Sequence, residues 1–227
     1  MTKLFTNSQI FNYPARVESD GMKVTKYPQS CLVLCKDGQC ILIDPGTLVT
    51  SRYKLADLGL VEAVLYTHQH PDHFDPSILE ELRRSNIEIY CNSDVADQIG
   101  GGATVINDKD EFVVAGFKIK AYDIPHFKLP PNIKPVPNTG YVIDGHFFHP
   151  GDGVELEDLK VDDVALTIGG YGDDFLDRAA KFADSLEAKR IIPIHFEGLF
   201  KPDPQDFVAK VEGDRVIILK DGESVDL

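Results

Sequence analysis

Four side chains that bind metal ions readily, His68, His70, Asp72 and His73, fall within the eight residues THQHPDHF that follow the apolar run VEAVLY. The chain has only 7 histidines, so three of them in one short loop are not the incidental content of a polar turn. Residues two apart in an extended turn can aim at a common centre, so His68 and His70 suit one cation while Asp72 and His73 turn toward a neighbouring one. Neutral imidazoles with a carboxylate suit Zn, Fe or Mn. First-row metals take about four to six donors each. One local cluster cannot fill two such shells, so the fold must be one that delivers further donors from far along the chain.

Suitable donors stand where apolar runs end. His126 follows KIKAYDIP, Asp152 closes HFFHPGD, and His195 follows RIIPI. The ends of strands are where a rigid sheet can hold converging ligands.

Strand signals are frequent. CLVLC, QCILID and AVLYTH are short runs rich in Val, Ile and Leu, bounded by Gly, Pro or polar residues. Phe117, Ile119 and Ala121 alternate with Lys118, Lys120 and Tyr122 in a half-buried hairpin turning at Gly116. Asp144-Gly145 predicts a two-residue hairpin, and Asp221-Gly222 within RVIILKDGESVDL predicts another, because both residue types tolerate positive φ. The sheets should therefore be largely antiparallel. Helices are predicted to start at Asp75-Pro76 and at Asp203-Pro204, and a third carries the apolar stripe Phe175, Leu176, Ala179, Phe182, Ala183 and Leu186. The strands form two groups, before about residue 123 and after about residue 138, which suggests sheet on sheet with helices outside. Between them PHFKLPPNIKPVPN holds 5 prolines and should be a stiff surface loop.

At 227 residues, with 43% hydrophobic and 26% charged side chains, the chain has material for one globular domain spanning 1–227. The formal charge of -14 disfavours nucleic acid as a partner. The first 21 residues lack the basic and apolar regions of a signal peptide, and no apolar run approaches the ~18 residues of a membrane span, so a cytoplasmic protein is expected. Cys31, Cys35, Cys40 and Cys91 lie in or beside apolar stretches and are expected as buried reduced thiols, and a metal site built from Cys31, Cys35 and Cys40 is set aside because no C-x-x-C pair is present.

The ordered motifs resemble those of the metallo-β-lactamase-fold hydrolases. His68, His70, Asp72 and His73 match the H-x-H-x-D-H signature, Asp44 in ILIDPG matches a strand ending in aspartate and glycine, and His126, Asp152 and His195 match the later ligands in order. The resemblance covers essentially the whole chain. It implies an α/β (α+β) fold, a four-layer αββα sandwich with two divalent metals at one edge of the paired sheets. His68, His70 and His126 would hold the first metal, Asp72, His73 and His195 the second, and Asp152 would bridge them. Asp44 would orient a ligand histidine or its loop. Zinc is the expected metal, with Mn, Fe or Ni as alternatives.

Two such cations, about 3.5 to 4 Å apart, acidify a bridging water to hydroxide, which attacks a carbonyl or phosphoryl centre. Asp72 and Asp152 would then be catalytic in the sense of holding that pair, and no side-chain nucleophile is needed. Lactam-hydrolysing relatives usually carry cysteine at the Asp152 position, and flavin-linked di-iron relatives replace His70 with a carboxylate. NTGYVIDGHFFHPGD and AKRIIPIHF look most like the ascorbate-phosphate lactonase-like branch of small hydrolases. The expected substrate is a small metabolite with an ester, lactone or phosphoester bond; the alternatives are a phosphodiesterase or nuclease, or a non-catalytic metal-binding module. His146 and His149 are expected in strand or support roles, Lys128 as a surface charge, and Tyr171 and Glu197 as rim residues that could donate a proton to a leaving group.

Overall fold

The central strands are buried on both faces, with successive side chains pointing to opposite sides, and that division generates the layers of this computed structural model, which describes residues 21–227. Residues 1–20, read above for targeting signals, lie outside them. The first sheet has the order β13-β1-β2-β3-β4-β5-β6, formed by β1 (Lys23–Lys26), β2 (Leu32–Lys36), β3 (Gln39–Ile43), β4 (Ala63–Tyr66), β5 (Glu88–Cys91), β6 (Thr104–Val105) and β13 (Ser224–Asp226). The second has the order β12-β11-β10-β9-β8-β7, formed by β7 (Glu111–Val114), β8 (Phe117–Asp123), β9 (Thr139–Ile143), β10 (Phe147–His149), β11 (Asp163–Thr167) and β12 (Arg190–Ile194).

Leu32, Leu34, Ile41, Ile43 and Leu65 of the first sheet pack on Phe117, Ile119, Tyr141, Ile143, Phe147 and Ile192 of the second to make the central core. Their neighbours in sequence face outward. Val33, Leu42, Val64 and Tyr66 lie in a second cluster with Val49 of α1 (Thr47–Thr50), Leu79 and Leu82 of α2 (Leu79–Arg84), and Val95 and Ile99 of α3 (Ser93–Ile99). Val142, Phe148, Val164, Leu166 and Ile191 lie in a third with α4 (Phe175–Ser185) and α5 (Pro204–Val208). Helix, sheet, sheet, helix is the expected four-layer αββα sandwich. Among the described residues no helix is long and apolar enough to cross a membrane.

Three helix starts fall where the sequence puts them. The Asp75 and Asp203 carboxylates accept from the amides of Ser77 and Gln205, each with proline between, although the first turn after Asp75 is a 3-10 helix over Pro76–Ile78. The α4 stripe buries Phe175, Ala179, Phe182 and Ala183.

Other expectations need correction. The sheets are mixed: β3, β4, β5 and β6 run parallel in series, as do β10, β11 and β12, because crossovers return the chain in the same direction, each bearing a helix except the helix-free stretch between β10 and β11. The chain passes from one sheet to the other between Val105 and Glu111, since β8 pairs with β9; the proline-rich stretch therefore joins two strands of one sheet. The Asp144-Gly145 hairpin turns over three residues, with Phe147 opposite Ile143 and the His146 amide donating to the Ile143 carbonyl at 3.2 Å. Asp221-Gly222 is no hairpin. Residues upstream of it bond to Ile191 at the edge of β12, whereas β13 downstream pairs with β1, so the chain changes sheet at that turn. Cys35 and Cys40 face each other across the β2-β3 ladder, half-buried, and form a disulfide, while Cys31 and Cys91 are free and buried.

Candidate metal centre

The 67–74 loop leaves β4 and is pinned from both sheets. The Tyr141 hydroxyl of β9 donates to the Tyr66 carbonyl at 2.8 Å, and the Thr67 carbonyl accepts from the amide of Thr139 and from Asn92 Nδ2, each at 2.9 Å. The amides of His73 and Phe74 both donate to the His70 carbonyl at 2.9 Å, closing a tight turn. Phe74 is buried with its ring edge on Tyr66. On the other side Gly46 packs so closely that a Cβ there would lie 2.1 Å from the Asp72 carbonyl carbon and oxygen. Only glycine permits that approach.

The remaining donors come from the second sheet. Asn138 Nδ2 donates to the carbonyls of Ile124 and Pro150, and Asn138 Oδ1 accepts from the Asp152 amide at 3.1 Å. The Phe127 amide donates to the Asp152 carbonyl at 2.8 Å, so one asparagine and one bridge register His126 against Asp152. His195, immediately after β12, adopts φ 61 and is fully buried.

Hydrogen bonds at the back of each ring decide which nitrogen faces inward. His126 Nδ1 lies 2.8 Å from the Phe127 carbonyl and His195 Nδ1 lies 2.9 Å from the Gly169 carbonyl. A carbonyl only accepts, so Nδ1–H donates and Nε2 presents its lone pair. Asp44 does the same for two more rings. It accepts from His73 Nδ1 at 2.7 Å, from the Thr67 amide at 2.8 Å and from the Thr67 hydroxyl at 2.7 Å. With its proton spent on Asp44, the Thr67 hydroxyl accepts from His68 Nδ1 at 3.0 Å. His70 differs: its Nδ1 is the inward atom, 3.1 Å from His68 Nε2 and 3.2 Å from His126 Nε2.

Two groups result, His68 with His70, His126 and Asp152, and Asp72 with His73 and His195, each with its donor atoms within 4.8 Å of one another. Asp152 reaches both: its carboxylate is 3.4 Å from His126 Nε2 and 3.3 Å from each of His73 Nε2 and His195 Nε2. Asp72 Oδ2 lies 3.1 Å from His195 Nε2. His70 and Asp72 are half-buried while the His126 side chain and the others are buried, so the centre opens on the side of His70 and Asp72.

The electrostatics are those of a cation site. Burial pushes the imidazoles of His68, His70 and His126 down, leaving them neutral at neutral pH. Burial opposes charge on His73 and His195 too, but Asp152 beside both, with Asp44 and Asp72, raises them. Asp72 and Asp152 are held below the usual carboxylate range despite burial, by His195 and His73. Most telling, His73 Nε2 is buried and points into the cluster, yet makes no well-formed hydrogen bond, its contact with Asp152 Oδ1 being 3.3 Å long. Inward nitrogens and carboxylate oxygens crowded at about 3 Å, with one nitrogen held only by that contact, form a donor set that a divalent cation would satisfy.

The seven side chains named from the sequence are brought together, and Asp44 bonds to the His73 ring and to the Thr67 hydroxyl that holds the His68 ring. His149 is buried outside the centre, with Nδ1 accepting from the Gly151 amide and Nε2 donating to the Ser30 carbonyl at 2.8 Å, and His146 pairs with Asp163. Lys128 is exposed. Tyr171 packs its ring on Phe200 beside the His195 ring. Glu197 is engaged with Lys26 at 2.7 Å. Sequence reasoning missed Gln29, Lys26, Thr67 and Asn138, which support the donors; Gln29 and Lys26 are single polar residues with no motif around them, while Thr67 and Asn138 open the stretches THQHPDHF and NTGYVIDGHFFHPGD but are not themselves metal-binding residue types.

A family model described as the β-lactamase superfamily domain matches residues 23–195, from β1 through the last donor. The chain belongs to the metallo-β-lactamase-fold hydrolase superfamily. It is 30% identical over 190 residues to protein Rv0786c of Mycobacterium tuberculosis, covering 80% of this chain and 87% of that one. It is 31% identical over 191 residues to a UPF0173 metal-dependent hydrolase of Nanoarchaeum equitans, covering 74% and 86%. The superfamily fold is also that of Igni18, a metallo hydrolase from Ignicoccus hospitalis, at TM-score 0.75 and 23% identity, covering 91% of this chain and 98% of that one.

Proposed function

We infer that the protein is a binuclear metal-dependent hydrolase of a small metabolite, acting within a single domain. His68, His70 and His126 hold one divalent cation, Asp72, His73 and His195 hold the second, and Asp152 is shared, with zinc the first choice and Mn, Fe or Ni the alternatives. The observation that carries this reading is the buried His73 Nε2, without a well-formed hydrogen bond among inward-facing nitrogens, and Asp152 within 3.4 Å of donors from both groups. Its relationship to a UPF0173 metal-dependent hydrolase supports the same conclusion.

A pair of cations at such a centre supplies an acidified water as nucleophile and a Lewis acid for the substrate oxygen. The chain's own residues do the rest. Asp72 and Asp152 remain ionised and offset the positive charge. Asp44, with Thr67, keeps two imidazoles in the tautomer that turns Nε2 inward. His70 and Asp72 border the open side, where an ester, lactone or phosphoester would approach. Glu197, tied to Lys26, is not a free acid for the leaving group.

Elemental analysis of protein purified without added metal, followed by hydrolysis of a simple lactone, a nitrophenyl ester and bis-nitrophenyl phosphate with and without chelator, tests the proposal. Two equivalents of a first-row metal and chelator-sensitive turnover of at least one substrate are expected. Metal-free protein that stays inactive after reloading would overturn it.

A further inference from the structure

Gln29 is 1% exposed, in the turn that joins β1 to β2, and holds φ 60. Burying a glutamine at positive φ costs free energy unless its polar groups are all used. They are. Gln29 Nε2 donates to Asp72 Oδ2 at 3.0 Å, and Gln29 Oε1 accepts from the Glu197 amide at 3.1 Å. The Gln29 amide donates to Glu197 Oε2 at 2.9 Å, and its carbonyl accepts from the His195 amide at 3.0 Å. The oxygen it holds, Asp72 Oδ2, is the one facing His195 Nε2.

Behind this contact lies a buried ion pair. Lys26 is 0% exposed, with Nζ 2.7 Å from Glu197 Oε1, 3.4 Å from Asp221 Oδ1 and 4.6 Å from the centre of the Phe196 ring. A buried ammonium fixes Glu197, and Glu197 fixes both the main chain and the side chain of Gln29. Asp72 stands on a loop of the first sheet and His195 on a strand end of the second. Gln29 holds the carboxylate of one and the backbone of the other.

We propose that Gln29 is a positioning residue for the second cation group, clamping Asp72 and His195 in mutual register, with the Lys26–Glu197 pair as its anchor. The neutral amide suits this task, because a lysine or arginine on Asp72 Oδ2 would compete with the cation for that oxygen. The proposal rests on the two-cation reading above and adds a selective dependence of one site on a residue that touches no metal.

Zinc titration of the metal-free full chain against a chromophoric chelator tests it, with thermal unfolding of the metal-free protein alongside. Gln29→Met removes the amide. Gln29→Asn tolerates positive φ and keeps an amide, but is one methylene too short to reach Asp72. Both should weaken one of the two zinc-binding steps by about tenfold to a hundredfold and leave the other within about threefold, with metal-free stability nearly unchanged for the asparagine variant. Lys26→Met should weaken the same step by a smaller factor. Unchanged affinities, or an equal loss at both steps in parallel with thermal stability, would overturn the clamp. Wild-type chain that takes up no zinc would instead overturn the two-cation reading on which it stands.

Discussion

Asp44 ties together three groups at the back of the centre. Its carboxylate, 0% exposed at φ 49, receives the Thr67 amide, the Thr67 hydroxyl and His73 Nδ1. Asp44→Ala would strand three buried donors, each costing about 1–3 kcal/mol when unpaired, so the metal-free protein should lose about 3 kcal/mol or more in urea unfolding and also bind zinc weakly. His146→Ala is the contrasting case. His146 lies outside the centre, and its partner Asp163 keeps Arg190, so stability should change by under about 1 kcal/mol and zinc content not at all. Asp152→Ala should lower metal content and abolish hydrolysis while the fold survives. That seven donors converge was legible because histidine is scarce here and each distant donor closes an apolar run. Gln29 and Lys26 were not legible, because a lone glutamine or lysine is ordinarily a surface residue and only the folded chain shows both at 0–1% exposure.

Among the elements, the loop after β4 depends on what packs against it. Gly46→Ala would place a methyl into the Asp72 backbone, so the loop should shift. A loss of about 2 kcal/mol in unfolding together with lost zinc binding is expected, whereas a variant with wild-type metal uptake would show that the contact is not required. The β2-β3 hairpin carries the disulfide, and Cys91 is buried, its thiol pushed up to about 12 by that burial. Its folded pKa exceeds its unfolded one, so its contribution to stability is full below about pH 9 and is lost as pH rises toward 12. Thiol titration at pH 8 should find almost no reactive group in the native chain, two after denaturation and four after reduction. Four without reductant would exclude the disulfide. The hairpin at Gly116 and helix α4 were readable from their periods of two and 3.6. Helices α1 and α3 were not legible because, unlike the similarly short helices that follow Asp75-Pro76 and Asp203-Pro204, neither opens on an Asp-Pro pair. The parallel pairing of β3 with β4 was also unreadable, since a strand buried on both faces has no alternation to mark its partner.

For the molecule as a whole, the layering follows from strands that put one set of side chains between the sheets and the next set under helices. Where the chain changes sheet did not follow from composition. The switch lies in the short segment between β6 and β7, and the five prolines that suggested a boundary instead form a loop carrying His126 within one sheet. The two sheets nevertheless meet at one edge, where side chains that follow β4 and β12 face Asp152. The central claim is that these side chains hold two cations at that edge. Anomalous diffraction from crystals of zinc-loaded protein measures this directly. The account predicts two peaks, one among His68, His70 and His126 and one among Asp72, His73 and His195, with Asp152 between them. No density there in fully loaded crystals, or imidazoles turned away from one another, would contradict it.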